Sequence, residues 1–387
     1  MNNEAKPTII YVGGFEMPDK NAAAHRVFNN SKIFHELGYK VVFCGIYNDE
    51  KYPNKIGSFD NSPRANPKSI KNWFFDSVNI DPIIKTIESY QNVVMIIAYN
   101  MHFMQLNKLR KYCNKSQLKL IADCTEWYDY KITVNPIQWY KRFDTAITMK
   151  IEQKKLDGFI VISKYLENYY KNIDKPIVVL PPLVDVEQNI WNINSNCKDG
   201  ETINFVYAGT PDDKKDKIGQ IVECLYEINN EYNFIFNVVG ITRKQFDEIY
   251  PHLVDKTNAI KNKIHFFGRL SHQESISQLY NSDYCIFIRD KTRKNMAGFP
   301  TKFVEAYTSG VSIIASDISD IKDYFPDDGF SMLIENNTNE EIVECLKKAL
   351  SVDILELRKE KNRNINVFDW RKWVKKVEGF LIYHDIS

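Results

Sequence analysis

The sequence predicts an α/β protein made of two domains of similar size, and three observations carry that expectation. Short apolar runs alternate with helix-patterned stretches, as a parallel sheet with crossover helices requires. The alternation is interrupted by a polar stretch, VEQNIWNINSNCKDGET, and then starts again. A chain of 387 residues is also longer than one ordinary hydrophobic core accommodates.

In the first series, TIIYV (8–12), KVVFCGI (40–46), VVMIIAY (93–99), LKLIA (118–122), GFIVIS (158–163) and IVVLP (177–181) read as strands. Their continuous apolar character suits strands buried on both faces. AAAHRVFNNSKIFHEL, ending at Gly38, has the 3.6-residue spacing of a helix between the first two. The second series is INFVYAG (203–209), NFIFNVVG (233–240), KIHFFG (263–268), YCIFI (284–288), VSIIAS (311–316) and SMLI (331–334). The expected domains are 1–185 and 186–367. The tail, 368–387, reads as an amphipathic helix with Phe368, Trp373, Val377, Phe380 and Leu381 on one side.

Composition narrows the function. With 44% hydrophobic and 26% charged residues, the chain reads as a soluble globular protein. A formal net charge of +1 argues against an obligate nucleic-acid binder, because no global basic field exists to release counterions. MNNEAKPT lacks the regions of a signal peptide, and VVMIIAY is too short to span a bilayer. Seven widely spaced cysteines without a CxxC fit a reduced, cytoplasmic protein and give no metal-ligand pattern.

Ligands of open parallel sheets bind beyond the carboxyl ends of the strands, so the expected site is the cleft between two such domains. In YVGGFEMP, Gly13 and Gly14 follow the first strand, where a glycine allows either close ligand approach or a plain tight turn. Asn21, His25 and Arg26 follow as polar groups on the next helix. VYAGTPDDKKDK places Gly209 and Thr210 at a strand end, ahead of Lys214, Lys215 and Asp216. A lysine there reaches a phosphate or begins a solvated helix. VVGITRKQ and FFGRLSHQE add Gly240, Gly268 and Arg269 at further strand ends.

AGFPTKFVEAYTSGVSIIAS, from Ala297 to Ser316, reads as loop, helix and buried strand. Phe303, Ala306 and Tyr307 have core spacing, and packing alone accounts for them. Lys302 and Glu305 share a face near the helix start, where free N–H groups favour an anion. With Arg289 from the preceding strand end, Lys302 and the helix start converge on one anion, while Glu305 accepts hydroxyl hydrogens. That combination suits a nucleoside diphosphate. Asp123 and Glu126 in LIADCTEWYDYK follow a strand end and read either as an acid/base pair or as loop carboxylates capping N–H groups. Ser163 reads as a helix cap.

Taken in order, VGG…HRV…ELGYKV, DCTEWYD, IVISKYLENYY, VLPPLVD, VYAGTPDDKKD, FFGRLSHQE and GFPTKFVEAYTSGVSIIAS resemble the retaining GT-B glycosyltransferases, family-4-like, in the sub-branch with a PTK motif. The resemblance covers nearly the whole chain. It implies two Rossmann-like domains facing a central cleft, with a C-terminal helix crossing back onto the first. It also implies transfer of a sugar from a nucleotide diphosphate sugar, with UDP the expected nucleotide, and no metal or other cofactor. The expected acceptor is a glycan, a lipid-linked molecule or a protein. By resemblance Glu305 holds the ribose hydroxyls, Lys215 and Lys302 stabilise the leaving diphosphate, and Gly14, Gly209, Thr210, Gly240, Arg269, Arg289, Gly298, Phe299, Pro300 and Thr301 line the nucleotide side. Asn21, His25, Arg26 and Asp123 fall on the acceptor side, with Glu126 as a catalytic carboxylate. Three positions depart from the family pattern: Ala297 replaces its first Glu, Thr210 its phosphate-binding Arg and Thr125 its His. Those departures are what a catalytically silent protein of the same fold, binding a partner transferase or a glycan, would also show.

A last feature concerns membranes. KYPNK, PRANPKSIKNWFF and ITVNPIQWYKRF mix Lys and Arg with Trp, Tyr and Phe in the first domain. Such mixtures suit peripheral contact with a membrane surface, and equally an ordinary buried aromatic core.

Overall fold

The computed structural model describes residues 6–18, 21–48, 52–127, 136–191, 200, 202–209, 216–360 and 366–382. The chain divides into two compact units, Met1–Val184 with Asp369–Ser387, and Asp185–Phe368. The α/β class with Rossmann-like parallel sheets is the one found.

In the first unit the strands are β1 (Thr8–Gly13), β2 (Lys40–Cys44), β3 (Ile46–Tyr47), β4 (Lys55–Ile56), β5 (Phe59–Asn61), β6 (Arg64–Ala65), β7 (Val93–Tyr99), β8 (Lys119–Cys124), β9 (Gly158–Val161) and β10 (Ile177–Val179). Among the described residues, eight of them form one sheet in the order β10-β9-β8-β7-β1-β2-β5-β4, with β3 and β6 paired separately. All six expected strands are present. The short pieces between 46 and 65 carried no readable pattern, because two- or three-residue strands are too short to show a period. The sheet is parallel except where β4 meets β5. The helix Ala22–Glu36 covers one face and takes its N-cap from Asn21, whose Oδ1 accepts the Ala24 N–H at 2.8 Å. The last helix, Val374–Ile382, buries Val377, Phe380 and Leu381 in the same core as Ile9, Tyr11 and Val27.

The second unit contains β11 (Ile203–Ala208), β12 (Phe234–Val239), β13 (Ile264–Gly268), β14 (Tyr284–Phe287), β15 (Ser312–Ser316) and β16 (Met332–Ile334). They form an all-parallel sheet in the order β13-β12-β11-β14-β15-β16. The strand order reverses between β11 and β14. Loops leaving the carboxyl ends of those two strands therefore diverge to opposite faces and open a crevice, the place where such sheets bind ligands. In the first unit the corresponding point lies between β1 and β7.

Candidate functional site

At the switch point of the second unit, three segments meet on one carboxylate. Asp216 follows β11, Arg289 follows β14, and Lys302 lies in the first turn of the helix Thr301–Thr308. Lys302 Nζ donates to Asp216 Oδ2 at 2.9 Å, Arg289 Nε donates to Oδ1, and the Tyr207 hydroxyl donates to Oδ2 at 2.9 Å. The Lys302 ammonium also stands 4.0 Å from the centroid of the Tyr207 ring. All three charged groups are buried. The backbone of Arg289 is fixed as well: its N–H donates to Ser316 Oγ at 2.9 Å, and its carbonyl accepts from Asn337 Nδ2 at 2.8 Å.

Among the described residues charge does not balance here: two cations face one carboxylate, leaving a surplus of one positive charge within the cluster. Burial by itself would raise the Asp216 carboxyl, but Lys302 and then Arg289 hold it well below the usual carboxylate range. Burial pushes the Lys302 ammonium down to about 8, with the like charge of Arg289 acting in the same direction and Asp216 opposing. Burial and the Asp216 charge push the Tyr207 hydroxyl far above its ordinary value, so it stays a donor. Gly209 makes the crowding possible. Its φ is +147°, and a Cβ there would lie 3.0 Å from Lys302 Nζ and 3.2 Å from Cε.

The segment before the helix is held by packing. Phe299 and Phe303 enclose the buried Phe368 with Tyr307 and Tyr324, ring centroids lying 5.1–6.1 Å from that of Phe368. Phe299, expected to line the nucleotide, thus commits its ring to the core. Pro300 is the N-cap residue of Thr301–Thr308 and, having no polar side chain, caps nothing. Thr301 is exposed, and Gly298 ends the preceding helix, Arg293–Ala297. Lys302 and Glu305 do not act as a pair. Lys302 turns inward to Asp216, whereas Glu305 Oε1 lies 3.2 Å from His272 Nε2. Arg269 is exposed, and Gly240 and Gly268 exchange a backbone bond, the Gly240 N–H donating to the Gly268 carbonyl at 2.7 Å. Thr210 and Lys215 lie outside the described residues.

In the first unit the expected acid/base pair does not form. Asp123 is 0% exposed and Glu126 is exposed. The Arg26 guanidinium grips Asp123 through Nε at 2.9 Å and Nη2 at 2.8 Å, and the Tyr11 hydroxyl donates to the other oxygen. Arg26 Nη1 donates to the Leu180 carbonyl at 2.8 Å. Asp123 and Arg26, expected on the acceptor side, are therefore a buried, mutually neutralised pair, and Asn21 is a cap. β8 runs on to Cys124, which places Asp123 inside the strand rather than beyond it. Gly13 and Gly14 face the backbone of β7 and its exit: a Cβ at Gly13, φ +152°, would fall 1.8 Å from the Tyr99 carbonyl oxygen, and one at Gly14 would lie 3.7 Å from that of Asn100. The next helix begins at Ala22. Ser163 is the cap expected, accepting the Leu166 N–H at 3.4 Å.

The sequence reading missed Asp216, which looked like one more charge in KKDK, and His272. A carboxylate among lysines carries no sequence mark that separates a solvated helix start from a buried counter-ion.

Residues 192–366 match the family model described as "Glycosyl transferases group 1". Among solved structures, the chain is similar to sucrose-phosphate synthase from Thermosynechococcus elongatus, at 11% identity over 98% of this chain and 99% of that one, TM-score 0.69. A glycosyltransferase from Rickettsia africae is 16% identical over 99% and 100% of the two chains, TM-score 0.69. Anabaena HepE, solved in complex with UDP-glucose, is 11% identical over 97% and 99%, TM-score 0.65. At these identities the likeness is one of fold, and that fold is the GT-B fold of these glycosyltransferases. The chain spans 13% of the length of a curated relative that it matches, a probable DNA-directed RNA polymerase of Kluyveromyces lactis, 27% identical over 143 residues. So partial a match transfers no activity.

Proposed function

We propose that the chain is a glycosyltransferase that moves a sugar from a nucleotide diphosphate sugar, with UDP as the nucleotide, to a hydroxyl acceptor with retention and without a metal ion, in glycan or polysaccharide biosynthesis. The observation that carries this reading is the surplus positive charge of Lys302 and Arg289 over Asp216 at the switch point of the second unit. A leaving diphosphate gains negative charge as the glycosidic bond to it breaks, and a preorganised cation is worth most where that charge develops. Lys302, in the first turn of a helix without a side-chain N-cap, suits that task. Glu305, on the outer side of the same helix, suits the ribose hydroxyls, with His272 fixing its carboxylate. The acceptor hydroxyl gives its proton to the departing phosphate oxygen as the new bond forms. A cytoplasmic location and a glycan, lipid-linked or protein acceptor go with this reading, as does Lys215 as a further phosphate ligand. The family match across the second unit and the UDP-glucose complex of the fold relative HepE support a uridine donor.

Isothermal titration calorimetry with UDP in excess EDTA tests it. Binding is expected in wild type, and absence of binding overturns the donor assignment. Binding that disappears on chelation overturns the metal-free part alone.

A further inference from the structure

Three helices of the first unit, far apart in sequence, meet at one surface. Trp73 of Ile70–Asp76 packs edge-on to His102, next to Phe103–Lys115, at 5.1 Å, and to Tyr140 of Pro136–Ile147 at 5.7 Å. Phe74 lies 5.7 Å from the same Tyr140 ring, and the Phe103 N–H donates to Asp144 Oδ1 at 3.0 Å. Around this junction the apolar side chains do not turn inward. Phe74 is 51% exposed, Phe75 60% and Phe143 39%, and Trp139 stacks on Phe143 with ring planes 4° apart. Isolated exposed apolar residues are ordinary, but several exposed aromatics on two of three touching helices are a patch with a use.

Among the described residues, several cations border it. Lys71, Lys108, Lys141 and Arg142 are exposed, and Lys141 Nζ sits 5.0 Å over the Trp73 ring. Two described carboxylates nearby have partners of their own: Asp76 pairs with Arg64 at 3.2 Å, and Asp144 contacts His102 at 2.7 Å. Exposed phenylalanines bordered by exposed lysines complement an apolar layer behind a sheet of negative charge. No helix among the described residues is long and apolar enough to cross a membrane, so the contact would be superficial.

We propose that this face, built by Trp73, Phe74, Phe75, Trp139, Lys141 and Phe143, docks on the surface of an anionic phospholipid bilayer. Its phenylalanine rings enter the headgroup boundary and its lysines meet lipid phosphates. The assignment is independent of the transferase reading and holds whether or not UDP binds.

Co-sedimentation of the full chain with vesicles of phosphatidylcholine alone, or mixed with phosphatidylglycerol, tests it at low and at physiological salt. The expected result is binding to the mixed vesicles only, weaker at higher salt. Lys71→Gln and Lys141→Gln should each weaken low-salt partition roughly fivefold. Phe74→Ser with Phe75→Ser should abolish it with an unchanged far-UV circular dichroism melt, since both rings are already exposed. Equal binding by wild type and the double variant overturns the proposal. So does absence of binding to mixed vesicles, including the case where light scattering shows a dimer that the double variant dissociates.

Discussion

The two units each bury a carboxylate held by a tyrosine from the first strand of the sheet, yet they use it differently. In the first unit Asp123 faces one cation, Arg26, and the hydroxyl of Tyr11. Charge is cancelled, and the guanidinium is further tied to the Leu180 carbonyl. In the second unit Asp216 faces two cations and the hydroxyl of Tyr207. One of those cations stands in the first turn of a helix at the point where strand order reverses. The same motif is a cross-brace where charges balance and, in the function proposed, an anion site where they do not. A buried ion pair thus says little about function until its partners are counted.

The comparison breaks most visibly in the first unit. Arg26→Ala leaves Asp123 buried without its cation, and the expected loss is about 3–5 kcal/mol of unfolding free energy in denaturant titration. UDP affinity of the folded fraction should not change. A variant that melts like wild type would show that the brace is dispensable, and one that loses UDP binding while folded would place Asp123 in the site after all.

In the second unit the effect should fall on rate. Lys302→Ala is expected to lower turnover by about 10²–10³ with a smaller loss of nucleotide affinity, because the charge it meets grows in the transition state. Its pH dependence has a definite sign. The ammonium in the empty protein is held down to about 8, so kcat/KM for the donor should fall as pH rises through that region, and Lys302→Arg should remove the fall. A kcat/KM that stays level across this range in wild type would take Lys302 out of the reacting ensemble.

The smallest effect sharpens the contrast along one helix. Glu305→Ala should weaken UDP binding by about 10- to 100-fold, the worth of hydrogen bonds to a charged group, and leave the maximal rate little changed. If calorimetry finds UDP affinity unaltered, the carboxylate serves only its contact with His272.

The strand series was legible because a parallel strand buried on both faces is a continuous apolar run, and all twelve such runs are strands. The helix at Thr301–Thr308 was legible by its core spacing, with Phe303 and Ala306 buried, and Ser163 by its place before a helix. Asp123 was misread because two residues of extra strand moved it from a loop into the sheet. Asp216 was overlooked because a lone Asp among lysines is the usual look of a solvated helix start.

The sequence by itself determined the α/β class and the position of nearly every core strand, and it also named Arg289, Lys302 and Glu305 as candidates. Period and propensity are local properties, readable within a window of a few residues. Only the tertiary structure decided which charges cancel. Lys302 and Asp216 are 86 residues apart, Arg289 and Asp216 are 73, and Arg26 and Asp123 are 97. Whether a charged side chain keeps its water or trades it for an ion pair depends on partners that the fold brings together across such distances. The energy of that choice is set by burial, which no short window of sequence records.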